Sequence, residues 1–255
     1  MGVPGDVEPL DAQALQRRRQ RRLLIVLGTL AAAAVAAVVL IATSSSSDPG
    51  GKVPRDGRPL PGAAAVAAQL AGIPQAGIVL GDPQAKVTLV EFLDPQCPFC
   101  KAFSDDVFPT IVRDYVRTGK VRYEVRTLTF LGQDSETGAR FLTAAGLQHR
   151  QFNAQDLLYR NQGAENSGYM TPAFLRAIGR SIPGLNTAKA FADMHGPRVA
   201  AQLGAAKTHA GVLGVSVTPT VAVGPTGGTL KTVDARDATD PGPYTAALDA
   251  ALQGR

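Results

Sequence analysis

Apolar and polar positions divide the chain into blocks of different character. Leu23 to Ala42 runs for 20 positions without a charge, about the length a helix needs to cross the hydrocarbon core of a bilayer, and it predicts a transmembrane helix. Residues 43–75 are dominated by Ser, Gly, Pro and Ala and read as a linker, with at most a short helix over Ala63 to Ala71. From Lys86 the pattern sharpens. Val87, Leu89, Val90 and Phe92 form a short apolar run between Asp82-Pro83 and Asp94-Pro95, which predicts a buried strand. Cys100, Phe103, Val107, Ile111 and Tyr115 then recur at three- and four-residue spacing, which predicts a helix kinked at Pro109 and stopped at Gly119.

The rest continues the alternation. Val121 to Leu131 predicts a second strand, and residues 135–213 predict a helical insertion with helices near Ala139 to His149, Asn153 to Arg160, Pro172 to Gly179 and Arg198 to Leu213. Ser216 to Val223 and Thr229 to Val233, on either side of Gly227-Gly228, read as a hairpin, and Tyr244 to Leu252 as a closing helix. This order predicts one α/β domain over residues 76–255 with a helical insertion.

Charge sets the topology. Arg17, Arg18, Arg19, Arg21 and Arg22 precede the apolar block and small neutral residues follow it, which places residues 1–22 in the cytoplasm, residues 23–42 in the membrane and the domain outside. A cleaved signal peptide is the rival reading, although Leu40 fits poorly three residues before a cut after Ala42; either way the domain is exported. The net charge of +5 does not signal nucleic-acid binding. Residues 1–60 hold eight Lys/Arg and five Asp/Glu, leaving 18 and 16, a net of +2, for the remainder.

Only two cysteines occur, in Cys97-Pro98-Phe99-Cys100, between a predicted strand end and a helix start. Residues three apart there suit a disulfide that forms and breaks with little backbone movement. Pro98 fits the first helical position, and Cys97 then caps the helix, where free N–H groups and the helix dipole favour a thiolate, the attacking species in disulfide exchange. Cys100 lies one turn in and would resolve mixed disulfides. A zinc site would need further ligands, and His149, His195 and His209 have no finger-like spacing; a static bridge would close too small a loop to stabilise much. No cofactor is implied. Glu91, inside an apolar strand six residues before Cys97, is an acid that needs a partner or a task.

Gly81-Asp82-Pro83, the Val87 to Phe92 strand with Glu91, Asp94, the Cys97-Pro98-Phe99-Cys100 motif and Val217-Thr218-Pro219-Thr220 together resemble the bacterial DsbA-like thiol-disulfide oxidoreductases of thioredoxin fold, over about residues 76–254. The resemblance implies a thioredoxin fold with a helical insertion and a redox disulfide between Cys97 and Cys100. It implies that Pro219 is a cis-proline beside the cysteines, although X-Pro bonds are cis only about 5–6% of the time. It also implies that Thr218, Pro219, Pro98 and Phe99 meet an extended substrate peptide, and that Glu91 passes protons to or from Cys100. The best-known members carry His where this chain has Phe99, so the Cys97 thiolate is expected to be less favoured and the disulfide less oxidising than theirs.

The expected function is a membrane-anchored, extracytoplasmic protein thiol-disulfide oxidoreductase. It would oxidise cysteine pairs of exported proteins and be reoxidised by a separate membrane redox partner. The alternatives are a reductase or isomerase of exported thiols, or a non-catalytic peptide-binding module.

Overall fold

A computed structural model describes residues 57–254. The expected cytoplasmic segment 1–22, the membrane helix 23–42 and the first part of the linker lie outside the described residues. Among those described, no helix is long and apolar enough to cross a membrane.

The predicted strand is β3 (Val87–Leu93), buried along its whole length. It lies at the centre of a six-stranded sheet ordered β1 (Gln75–Ala76), β2 (Val79–Leu80), β4 (Val121–Thr127), β3, β5 (Thr220–Pro225) and β6 (Lys231–Thr232). β3 runs parallel to β4, with Leu89 opposite Tyr123, and antiparallel to β5, with Glu91 opposite Val221. A central strand covered on both faces needs apolar residues at consecutive positions. Side-chain alternation then sorts them: Leu89 and Leu93 join the main core, whereas Val90 and Phe92 pack with Leu128, Ala206 and Ala210 on the other side.

The connection from β3 to β4 is α2 (Pro98–Asp106), α3 (Phe108–Ile111) and a π-helical turn (Val112–Val116), so the expected helix is present and interrupted next to Pro109. The insertion comprises α4 (Gln133–Gly146), α5 (Gln151–Arg160), α6 (Pro172–Arg180), α7 (Thr187–Asp193) and α8 (Pro197–Val212), and α9 (Gly242–Leu252) closes the chain. Phe103 of α2 meets Tyr244 of α9 edge-on at 5.1 Å, and Tyr123 of β4 packs between Phe108 at 5.3 Å and Phe152 at 5.8 Å.

Several features differ from expectation, among them the hairpin strands, which run Thr220–Pro225 and Lys231–Thr232. The linker does not extend to residue 75: Leu60 is buried and its N–H donates to Ser181 Oγ at 2.8 Å, while α1 (Ala63–Leu70) buries Val66 and Leu70 and is tied by Arg117 to the carbonyls of Gln69 and Ala71. An eight-residue helix is marginal alone and is held here by tertiary packing, which no local pattern reports. The second strand ends at Thr127 rather than Leu131, because the N–H groups of Phe130 and Leu131 are taken by the Asp94 carboxylate instead of a neighbouring strand. The β1–β2 hairpin and α7 were not anticipated; two-residue strands carry no periodicity, and α7 is announced only by its Asn186 cap, which accepts from Lys189 N at 2.9 Å. Gly81 follows β2 at φ 98°, and a Cβ there would lie 2.7 Å from Val116 Cγ1, so only glycine fits.

Candidate active site

The chain leaves the sheet at Leu93, crosses Asp94 to Gln96 and enters α2 with Cys97 as N-cap and Pro98 in the first turn. Proline loses nothing there, since its missing N–H would have no helical partner. Cys97 sits at φ −66°, ψ 120°, the extended geometry of a cap, and Cys100 one turn on faces the core. Both thiols are free.

Their proton affinities are driven apart. The Cys97 thiol is lowered to about 6, first by the Cys100 thiol, then by Thr218 and the backbone N–H groups of Cys100 and Phe99, against an opposing contribution from burial. The Cys100 thiol is pushed well above its ordinary value by burial first, then by Cys97 and Glu91. Near neutral pH the first sulfur is a thiolate and the second a thiol, the division that disulfide exchange needs. Although it caps the helix, Cys97 is only 4% exposed, because the Thr218 backbone packs over it. Phe99 points its ring to solvent, 65% exposed, and no donor comes from that side chain; its backbone N–H acts on Cys97 instead.

Thr218-Pro219 is cis. The Cys97 thiol donates to the Thr218 carbonyl at 3.2 Å, so the loop before β5 and the start of α2 meet at the nucleophile although 121 residues separate them. Val217 beside this contact is 66% exposed, and with Phe99 it offers apolar surface on either side of Cys97.

Glu91 lies on the Leu89–Leu93 face of β3, 1% exposed. Its Oε2 accepts from Tyr123 Oη at 2.6 Å. Burial raises the carboxyl to about 7, an effect that the Tyr123 hydrogen bond opposes, the nearby Cys97 reinforces and the Gln155 amide opposes least. It therefore takes up and releases a proton near neutral pH beneath the two sulfurs, as a general acid or base must.

Of the residues that hold this arrangement, Asp94 was read from sequence only as a strand boundary and part of the family signature, and Gln96, Ser135, Gln162 and Asn166 were not singled out. Asp94, fully buried, accepts from the N–H groups of Gln96, Phe130 and Leu131 and from Ser135 Oγ, while its carbonyl accepts from Tyr159 Oη and Cys97 N. Gln96 donates to Leu131 O at 2.9 Å and Ser135 Oγ at 3.1 Å and accepts from Asn166 N at 2.7 Å. Gln162 donates to Pro95 O at 3.0 Å. The helical insertion thus clamps the loop that presents Cys97. The available signal was Asp94 and Gln96 themselves, polar residues next to an apolar strand.

A family model described as Thioredoxin matches residues 74–234, more than half of the chain. The chain belongs to the thioredoxin family. Within this thioredoxin family, disulfide bond formation protein D of Bacillus subtilis (strain 168) is 30% identical over 105 residues, 40% of this chain and 47% of that protein, so the match spans about half the relative's length. The crystal structure of oxidised BdbD from Bacillus subtilis superposes with a TM-score of 0.61 at 22% identity, covering 71% of this chain and 98% of that one. Chlamydia trachomatis DsbA gives 0.58 at 20% identity, covering 70% and 92%. A thioredoxin-like oxidoreductase from Silicibacter pomeroyi DSS-3 gives 0.55 at 26% identity, covering 72% and 96%. The thioredoxin fold with a helical insertion is thus of the DsbA-like form.

Proposed function

We propose that this protein is an extracytoplasmic protein thiol-disulfide oxidase, tethered to the cell membrane by residues 23–42, that donates a Cys97–Cys100 disulfide to exported proteins. The observation that carries the reading is the opposed protonation of the two sulfurs, Cys97 lowered to about 6 and Cys100 raised. The similarity to a disulfide bond formation protein supports it.

A substrate thiolate attacks Cys97 Sγ; the electron pair of the Cys97–Cys100 bond passes to Cys100 Sγ, which takes a proton from Glu91. A second substrate thiolate then attacks the substrate sulfur of the mixed disulfide and expels Cys97 as a thiolate. The substrate loses two electrons and the motif gains them. A leaving thiolate stable near neutral pH favours this direction. Thr218, Pro219, Pro98 and Phe99 bind the substrate segment around Cys97, with the Thr218 backbone as the strand-like edge. Reoxidation falls to a separate membrane redox partner.

The test is the redox state of Cys97 and Cys100 in growing cells, fixed by acid quench and thiol labelling. A predominantly oxidised pair supports the oxidase. A predominantly reduced pair reverses the assignment to a reductase or isomerase, and a bridge that reductant cannot open makes the domain a binding module.

A further inference from the structure

Among the described residues, two buried oxygens beneath the sulfurs have no hydrogen-bond partner, Glu91 Oε1 and Gln155 Oε1. Glu91 is 1% exposed and Gln155, on α5, is 4%. The Gln155 amide lies beside the Glu91 carboxyl, where as a donor it is the smallest of the influences on its proton affinity. The other carboxyl oxygen is held by Tyr123, itself fixed between Phe108 and Phe152. Oε1 is therefore left to what Gln155 offers.

A buried acceptor without a donor is unfavourable in either residue, and a proton on Glu91 Oε1 that the Gln155 amide oxygen turns to accept would satisfy both. With Glu91 protonated on Oε1, its O–H donates to Gln155 Oε1 and both oxygens are satisfied. With Glu91 ionised, a half-turn of the Gln155 amide brings Nε2 round to donate to Oε1. The amide oxygen and nitrogen have nearly the same size, so the turn leaves the packing unchanged.

We propose that Gln155 is the positioning residue that lets Glu91 hold and release a proton beneath Cys100, its amide turning with the protonation state of the acid. The purpose of this device rests on the thiol-exchange reading above. When the Cys97–Cys100 bond opens and Cys100 takes the Glu91 proton, the carboxylate left behind gains N–H donation from Gln155 beside the O–H of Tyr123; the reverse reaction returns the proton and the amide turns back.

The groups facing Glu91 are Cys97 and Cys100 from the start of α2, Tyr123 from β4, Tyr159 from α5 and Tyr244 from α9. Burial pushes all three tyrosines up, Tyr244 to about 12, so they stay neutral through the working range. In the disulfide form the thiols do not titrate. Of this set Glu91 is then the group that changes charge between pH 5 and 9, and a readout on Gln155 reports it.

The experiment uses the full chain, oxidised at Cys97 and Cys100 and labelled with nitrogen-15 glutamine and carboxyl carbon-13 glutamate, titrated from pH 5 to 9 by NMR. The Gln155 side-chain amide is expected to shift with the same midpoint as the Glu91 carboxyl, which burial keeps above its ordinary value. A Gln155 amide that stays fixed while Glu91 titrates overturns the proposal. In Gln155→Met, of similar length but with no donor, the Glu91 midpoint is expected to rise by about one pH unit, tenfold in proton affinity. An unmoved midpoint in that variant, folded by circular dichroism, also overturns it, and should the variant not fold, the wild-type titration decides alone. Glu91→Gln should abolish the Gln155 shift, and its persistence counts against the pairing. Failure of the oxidase reading shows separately, as a Cys97–Cys100 bond that does not cycle, and leaves this titration intact.

Discussion

The Cys97 sulfur lies 3.2 Å from the carbonyl oxygen of Thr218, the residue before cis-Pro219. Thr218 meets the nucleophile in both of its states. The carbonyl accepts the thiol proton, and the side-chain hydrogen bond that lowers the Cys97 proton affinity requires the hydroxyl to donate. The loop that flanks the substrate position thereby also tunes the attacking atom, so binding and reactivity share one residue.

This makes the Cys97 titration a ranked test. The thiolate absorbance of the reduced protein is expected to appear with a midpoint near 6, and to move up in both Cys100→Ala and Thr218→Val. The larger shift belongs to Cys100→Ala, since the Cys100 thiol is the strongest influence and Thr218 a lesser one. A wild-type midpoint in the ordinary thiol range, or the opposite ranking of the variants, contradicts the assignment.

Glu91 carries a stability cost that depends on pH. Its folded-state value is raised from 4.5 to about 7, so the folded protein keeps a proton that the unfolded chain releases above pH 4.5. The stability present below pH 4.5 is lost as pH rises to about 7 and stays lost above it. Glu91→Gln has nothing to ionise. In the disulfide form it should match wild type near pH 4 and exceed it at pH 8 by up to about 3 kcal/mol, the equivalent of that raised affinity at about 1.4 kcal/mol per unit. Urea unfolding at the two pH values checks this; a constant difference between the proteins would show that Glu91 does not titrate in the fold. The same variant should slow disulfide exchange through loss of the proton carrier.

Asp94 satisfies four donors from inside the protein. Asp94→Ala strands the N–H groups of Gln96, Phe130 and Leu131 together with the Ser135 hydroxyl, and is expected to cost at least about 3 kcal/mol. Ser135→Ala removes one neutral donor and should cost about 1 kcal/mol. Thermal unfolding of both variants gives the comparison; similar, small losses would mean that the loop before Cys97 is held by other contacts.

The centre of the fold was legible because its signals are local. An apolar run closed by Asp94-Pro95, a proline in the first turn of a helix and two cysteines three apart are all read within 14 residues, from Val87 to Cys100. The support is not local. Gln96 meets Asn166 across 70 positions and Glu91 meets Tyr123 across 32, and neither partner carries a motif of its own. Gln155 was hidden differently. Gln151, Asn153, Gln155 and Asp156 look like the wet face of an amphipathic helix, yet every residue of α5 from Gln151 to Tyr159 is buried, because the sheet, α1, α2 and α4 enclose it. Periodicity reads polarity as exposure, and it fails where polar side chains are kept inside to serve a site. The short α1 was undervalued for the related reason that its stability comes from what it packs against.

The division of labour between the two cysteines can be tested in living cells. Cys97 has the lowered proton affinity and a sliver of solvent access, whereas Cys100 is fully buried with its thiol raised. Exchange with a partner therefore takes place at Cys97, and when the Cys97 thiolate has attacked an oxidised partner it is Cys100 that resolves the resulting mixed disulfide. In Cys100→Ala the nucleophile remains but loses its strongest stabilising neighbour, so trapping is expected to be slower than the wild-type exchange rate and yet complete, because nothing in the motif expels the bound partner. Mixed disulfides between Cys97 and exported proteins should accumulate on non-reducing gels and vanish on reduction. Cys97→Ala leaves a buried, protonated thiol and should trap at least about tenfold less. Equal trapping by the two variants would show that position in the motif does not set reactivity, and trapping by Cys97→Ala alone would exchange the two roles.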